Sequence, residues 1–164
     1  MGSDEQVADP VGTEDARFAE LYPGLRRFAA VVRPSGVDPD DLVQEALTRL
    51  LTTRPLSECD DPGAYLRTAI VRIASNHRRS LARRRVALSR MGDPELDEPS
   101  YPSDLDELRH LSPDDRALLY LVVVEQRAHA DVGRLLGCTE AAARRRFSRA
   151  LRRLRTTIEE TDDA

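Results

Sequence analysis

Lysine and tryptophan are missing altogether from this chain of 164 residues, aromatic side chains make up only 4% of it, and cysteine occurs twice. With an apolar share of 40% and a charged share of 33%, the composition suits a helical protein better than a β-sandwich. No apolar run approaches the roughly 20 residues that cross a bilayer. The opening MGSDEQVADPVGTED is acidic and polar, where a secretory leader is basic and then apolar. A cytoplasmic protein without membrane insertion is expected. Cys59 and Cys138 stand far apart, without Cys-x-x-Cys or Cys/His spacing, so neither a zinc site nor a disulfide framework is indicated. Two reduced, partly buried thiols are the simpler expectation. His77, His110 and His129 belong to no metal or nucleophile pattern, and no glycine-rich phosphate loop is present. Nothing in the sequence therefore signals catalysis, a bound metal, a cofactor or a small-molecule substrate.

What the chain does have is arginine, which supplies all 25 of its basic residues. The formal net charge is −4, yet charge is sorted into blocks. Residues 67–90 hold eight arginines and no acid. Residues 92–115 are dominated by Asp and Glu, and GCTEAAARRRFSRALRRLR, residues 137–155, is basic again. Both chain ends are acidic. Nucleic-acid binding follows the local positive footprint, so the whole-chain pI of about 5.5 is a poor guide to partners. Either arginine block alone is as readily an ordinary solvated helix face.

Helix starts are legible. Asp38-Pro39, Asp61-Pro62 and Ser112-Pro113 each set a capping side chain before a proline at the first helical position, where the missing N–H costs nothing. After Pro39, the residues Leu42, Val43, Ala46, Leu47, Leu50 and Leu51 recur at helical spacing. Tyr65, Leu66, Ala69, Ile70 and Ile73 do so after Pro62. An earlier helix over about 16–32, interrupted at Pro23-Gly24, completes a small bundle ending near Arg85. Residues 91–104, MGDPELDEPSYPSD, are proline-rich and acidic with almost nothing to bury, and read as a flexible linker. Beyond it a second apolar set begins. ADVGRLL stops at Gly137, a glycine placed for a left-handed helix end, and Thr139 can cap the helix that follows. At about 100° per residue that last helix sets Ala143, Phe147, Ala150, Leu151 and Leu154 on one side and Arg145, Ser148, Arg149 and Arg152 on the other, flanked by Arg144 and Arg146. Such a helix is built like the recognition helix of a helix-turn-helix, whose arginines can pair with guanine edges or phosphates.

The expected fold is all-α: two small helical domains joined by a flexible acidic linker, the second a helix-turn-helix. The boundaries are residues 1–12 for a disordered acidic tail, 13–86 for the first domain, 87–103 for the linker, 104–156 for the second domain and 157–164 for a second acidic tail.

In that order and separation, DPDDLVQEALTRLL (residues 38–51), DPGAYLRTAIVRIASNHRRSLARRR (61–85) and LSPDDRALLYLVVVEQRAHADVGRLLGCTEAAARRRFSRALRRLR (111–155) closely resemble a bacterial RNA polymerase sigma factor of the extracytoplasmic-function type. The resemblance implies a subunit that directs promoter recognition, DNA melting and transcription initiation without being an enzyme itself. Its partners would be core RNA polymerase (the clamp helices of the largest subunit, and the flap), promoter DNA and an anti-sigma factor. By the same resemblance Asp41, Leu42, Gln44 and Glu45 bind core polymerase. Tyr65, Arg72, Asn76, His77, Arg79 and Arg83 serve the −10 element, and Thr139, Ala142, Arg144, Arg145, Ser148 and Arg149 the −35 element. The chain departs from the family pattern at Tyr65, where tryptophan is usual, and at Arg72 and Asn76, where Asn and Asp are usual. Ala142-Ala143 replaces a Thr-Val pair. A stand-alone helix-turn-helix regulator would leave the first domain without a purpose. A sigma-like decoy for an anti-sigma protein would not need a DNA-reading helix.

Overall fold

A computed structural model describes residues 10–91 and 106–162, and within them the regular structure is six α-helices, two short 3-10 turns and one π-helical turn. The residues expected to form the flexible linker and the N-terminal tail lie outside this description, except 87–91 and 10–12, which are helical.

The three proline-marked helix starts form as their chemistry dictates. Before α2 (Pro39–Thr53), the Asp38 carboxylate accepts the Asp40 N–H at 2.7 Å. Before α3 (Pro62–Met91), Asp61 accepts the Ala64 N–H at 2.8 Å. Before α4 (Pro113–Leu119), the Ser112 hydroxyl accepts the Asp115 N–H at 3.1 Å. Each cap satisfies an N–H that has no partner inside the helix and contributes about 1 kcal/mol.

Helix α1 (Pro10–Val32) contradicts the expected interruption, because it runs unbroken through Pro23. A proline inside a helix costs about 3 kcal/mol through the lost hydrogen bond and the crowded carbonyl. Continuing the helix seats Leu25, Phe28 and Val32, all 0% exposed, and each such burial contributes about 1.5–3 kcal/mol. Burial wins. Helix α3 likewise passes its expected end near Arg85 and reaches Met91; its last turns are rich in Ala, Leu and Arg, all good helix formers. Helix α5 (His129–Leu136) stops at Gly137, whose φ of 70° and ψ of 36° make the expected left-handed cap. Thr139 then caps α6 (Glu140–Asp162) by accepting the Ala142 N–H at 3.2 Å. That helix extends through residues 157–162, which were expected to form a tail. Between α4 and α5, Tyr120–Val124 make a π-helical turn that leads to Gln126 with φ 53°, a feature the sequence did not suggest.

Helices α1, α2 and α3 close around Leu25, Phe28, Val43, Ala46, Leu50, Leu66 and Ile70. A smaller cluster of Leu111, Leu119 and Ala150, flanked by Leu108, Phe147, Leu151 and Leu154, holds α6 on the second lobe, residues 106–162. The larger core does not stop at the first lobe, however. Ala117, Leu118, Leu121, Val132 and Ala143 are fully buried in the same cluster as α1–α3, so the lobes dock on one another. The Phe28 and Tyr120 rings meet edge to face at 5.4 Å between centroids.

Polar groups line this seam as well. Arg116 of α4, 9% exposed, donates from Nη1 to the Arg33 carbonyl at 2.6 Å and lies 3.5 Å from that of Val31. Those carbonyls belong to the C-terminal end of α1, where the helix itself offers no donor and the macrodipole favours a cation. Arg67 of α3 donates from Nε and Nη2 to Glu125 at 3.0 and 2.7 Å. Arg127 grips the other oxygen of that carboxylate at 2.8 Å. Thr68 donates to the Leu135 carbonyl at 3.2 Å, and Ser75 to Asp114 at 2.9 Å.

Candidate nucleic-acid interface

The two sides of α6 separate as the helical projection requires. Ala143 and Ala150 are buried and let the backbone approach α4 and α5 closely, while Phe147 meets His129 edge to face at 5.2 Å. The tight turn before the helix depends on Gly133, where an added Cβ would lie 2.7 Å from the Cys138 carbonyl oxygen. On the outer side, Arg144, Arg145, Ser148, Arg149 and Arg152 line one shallow open groove. These arginines are not equivalent. Arg144 is drawn toward Glu140, with Nη2 and Nε at 2.6 and 3.0 Å from one carboxylate oxygen. Arg146 turns inward and pairs with Asp115 of α4 at 3.1 Å, which ties the two helices together. Among the described residues Arg145, Arg149 and Arg152 make no side-chain hydrogen bond or ion pair, so their guanidinium donors face solvent. The Ser148 hydroxyl donates to the Arg144 carbonyl one turn back, and the Thr139 oxygen is engaged by its cap.

A second positive face lies on α3. Tyr65, Arg72, Asn76, Arg79 and Arg83 follow one another at helical intervals and all are exposed, forming a single stripe along the helix. Arg79 donates to the Asn76 side chain at 2.7 Å. Arg67, Thr68 and Ser75 lie around the helix from this stripe and reach the second lobe, so α3 carries one solvent face and one docking face.

Residues 18–93 match the family described as Sigma-70 region 2, and residues 105–154 match Sigma-70, region 4. The RNA polymerase sigma factor CarQ of Myxococcus xanthus is 28% identical over 166 residues, which cover 92% of this chain and 94% of CarQ. The co-crystal structure of the sigma factor RpoE with the anti-sigma factor NepR from Bartonella quintana shares the fold at a TM-score of 0.59 and 22% identity, over 88% of this chain and 96% of that one. The chain belongs to the sigma-70 family, as an extracytoplasmic-function sigma factor.

In this sigma factor, region 2 comprises α1–α3 and region 4 comprises the helices from α4 to α6 with the turn before them. Of the residues assigned to polymerase binding, Asp41 and Gln44 stand exposed on α2, and Glu45 is half-buried beside Arg49 at 2.5 Å. Leu42 does not belong with them: it is 0% exposed and sits in the core, because its place in the apolar stripe of α2 turns it inward. It positions the helix. His77 also parts from its group, lying off the α3 stripe with Nε2 3.5 Å from the Glu45 carboxylate. Ala142 is half-buried in the first turn of α6. Near the start of α2, the Tyr22 phenol donates to Asp40 at 2.7 Å, and that hydrogen bond to a carboxylate raises the Tyr22 pKa. Among the described residues no three His, Cys, Asp or Glu side chains converge to hold a metal, and no helix is long and apolar enough to cross a membrane.

Sequence reasoning missed Arg67, Thr68, Ser75, Arg116 and Glu125 as a group. Their one advance signal was polar character at positions that a solvated helix face would equally explain.

Proposed function

We propose that this sigma factor binds core RNA polymerase through the exposed face of α2, with Asp41, Gln44 and Glu45 on the clamp helices, while region 4 engages the flap. The α3 stripe then meets the −10 element and α6 the −35 element. What supports this reading above all is a division: two arginine-bearing helix faces stand outward on separate lobes of one chain, although those lobes share one core. A single duplex-reading domain would need only one.

The chemistry of each face fits its task. Extruding a base from the stack costs a few kcal/mol and calls for a stacking surface beside a cationic track. Tyr65, 36% exposed, can stack on such a base, while Arg72, Arg79 and Arg83 follow the backbone. On α6, Arg145 and Arg149 have the free guanidinium forks that pair bidentately with guanine O6 and N7 in the major groove. Arg144, shared with Glu140, is better placed for a phosphate, and Ser148 and Thr139 for secondary contacts. Arg72 replaces an amide with a cation and so alters which −10 sequence is accepted. The regulator we infer is an anti-sigma protein, by likeness to the sigma factor solved with NepR. Reconstitution with core polymerase, followed by mapping of transcript 5′ ends on matching genomic DNA, tests the reading. Defined start sites that depend on this chain are expected, and failure to associate with core polymerase or to start at defined sites would refute it.

A further inference from the structure

The arginines of α6 line two hollows, and one of them has no part in the reading proposed above. The open groove of about 480 Å³ runs over Arg144, Arg145, Ser148, Arg149 and Arg152. Around the helix, against the start of α4, lies a smaller and more enclosed recess of about 170 Å³, lined by Asp115, Arg146, Arg149, Ala150 and Arg153. At about 100° per residue Arg146, Arg149, Ala150 and Arg153 share one side of α6, and Arg152 falls outside it. Of the residues lining the two hollows, only Arg149 belongs to both.

The recess has the chemistry of an anion site. Arg146 is fixed in its wall, with Nε and Nη2 at 3.3 and 3.1 Å from one oxygen of Asp115, which leaves the Nη1 donors unused. Those partners are 25% and 17% exposed, so water screens the charges beside them less than on an open surface. Among the described residues neither Arg149 nor Arg153 makes a side-chain hydrogen bond or ion pair. Three guanidiniums against one carboxylate leave the recess with an excess of positive charge. Like charges held on one wall repel, and an anion between them offsets that cost. Ala150, small and buried, leaves it room. A phosphoryl group presents three acceptor oxygens and up to about two negative charges, and so meets guanidinium forks from several sides where a carboxylate meets one.

The shape favours a small ligand over DNA. A strand laid across the recess would carry its neighbouring phosphates over Asp114 and Asp115, the acidic first turn of α4. The end of a soluble phosphoanion enters between the arginines and avoids that repulsion.

We propose that the recess between α4 and α6 binds the terminal phosphoryl group of a soluble phosphoanion through Arg146, Arg149 and Arg153, and that its occupation withdraws Arg149 from the base-reading groove. The binding half concerns the protein alone; the withdrawal half rests on the proposed −35 contact. One guanidinium cannot fork onto phosphate oxygens and a guanine edge at once, so each ligand weakens the other by the same factor.

Two neighbouring arginines make the test, because Arg152→Ala and Arg153→Ala remove the same charge from opposite sides of this border. Calorimetric titration of the polymerase-free chain with inorganic pyrophosphate at fixed ionic strength should show one saturable site. Arg153→Ala and Arg149→Ala should each weaken it about tenfold, and Arg152→Ala by no more than about twofold. Absence of saturable binding overturns the site. So does an equal loss in Arg152→Ala and Arg153→Ala with folding intact by circular dichroism, because a diffuse positive field would then suffice.

A second measurement follows holoenzyme on matched and mutated −35 duplexes, with and without pyrophosphate and with free magnesium held constant. Pyrophosphate should lower wild-type discrimination about tenfold and leave that of Arg153→Ala unchanged. Unaltered wild-type discrimination at saturating pyrophosphate overturns the withdrawal of Arg149. Without pyrophosphate, Arg153→Ala should bind every duplex nearly as wild type does; a loss as large as that of Arg152→Ala would assign the recess to the DNA backbone and overturn the proposal. A holoenzyme that shows no −35 discrimination at all refutes the proposed function instead, and the titration still judges the site.

Discussion

Helices α3 and α6 are the two arginine-rich elements of the molecule, yet they solve different packing problems. Helix α6 has two sides: alanines, leucines and Phe147 settle on α4 and α5, and the arginines other than Arg146 face away. Helix α3 has three. One side holds Leu66, Ile70 and Ile73 in the region 2 core, one carries the stripe from Tyr65 to Arg83, and a third, with Arg67, Thr68, Val71 and Ser75, accepts the second lobe. A two-sided helix can be read from its own period. A three-sided one cannot, because its polar docking face follows the same spacing as a wet one.

The shared core gives the largest test of this contrast. Phe28 is 0% exposed, supports α3 from below and meets Tyr120 of the other lobe. Phe28→Ala should cost about 3–5 kcal/mol, in line with large-to-small aromatic truncations. If the lobes share one cooperative unit, urea unfolding followed by hydrogen exchange should show α5 and α6 losing protection together with α1. A loss confined to region 2 would mean the second lobe is stable alone.

Next in size comes the inequality among the α6 arginines. Under the proposed function, Arg145→Ala should remove about 1–3 kcal/mol of discrimination between matched and mutated −35 sequences in holoenzyme binding. Arg144→Ala, which frees Glu140 and removes a guanidinium already shared, should weaken all sequences alike and leave discrimination intact. Equal behaviour of the two variants would remove the distinction drawn from their ion pairs. Asp115→Asn acts on the packing side of the same helix. It breaks the Arg146 pair, in which the partners are 25% and 17% exposed, and should destabilise the second lobe by about 1–2 kcal/mol in thermal unfolding.

The parts of the structure that could be read in advance are those fixed by neighbours in sequence. Asp38, Asp61 and Ser112 start helices because a short acceptor precedes a proline, and Gly137 ends one because its φ is positive. The sides of α6 follow from period, whereas the α3 stripe is expected only from the family resemblance; period sets Tyr65 with the apolar residues, and it stands exposed instead. Where distant burial outweighs a local signal, the local rule misleads: Pro23 does not break α1, and Leu42 belongs to the core despite lying among the polar residues proposed to bind polymerase. Arg116 is the clearest case. An arginine after a helix start reads as solvated, yet it is buried because α1 ends against it and presents carbonyls that its guanidinium reaches. No pattern within α4 announces the end of a helix more than 80 residues earlier.

The smallest effects concern the two left-handed residues of region 4, and they separate backbone strain from packing. At Gly137 an added Cβ would meet nothing within 4 Å, so Gly137→Ala is opposed only by its φ of 70°. The cost should be about 1 kcal/mol, read as a lower melting temperature with the α5–α6 turn exchanging faster. Gln126 adopts φ 53° without being glycine, at the exit of the π-helical turn beside Glu125. Gln126→Gly relieves that strain but gives the unfolded chain more freedom, so the two contributions nearly cancel and a net gain of about 0.5 kcal/mol or less is expected. A loss of more than about 1 kcal/mol in equilibrium unfolding would mean that the Gln126 side chain itself supports the turn carrying Glu125.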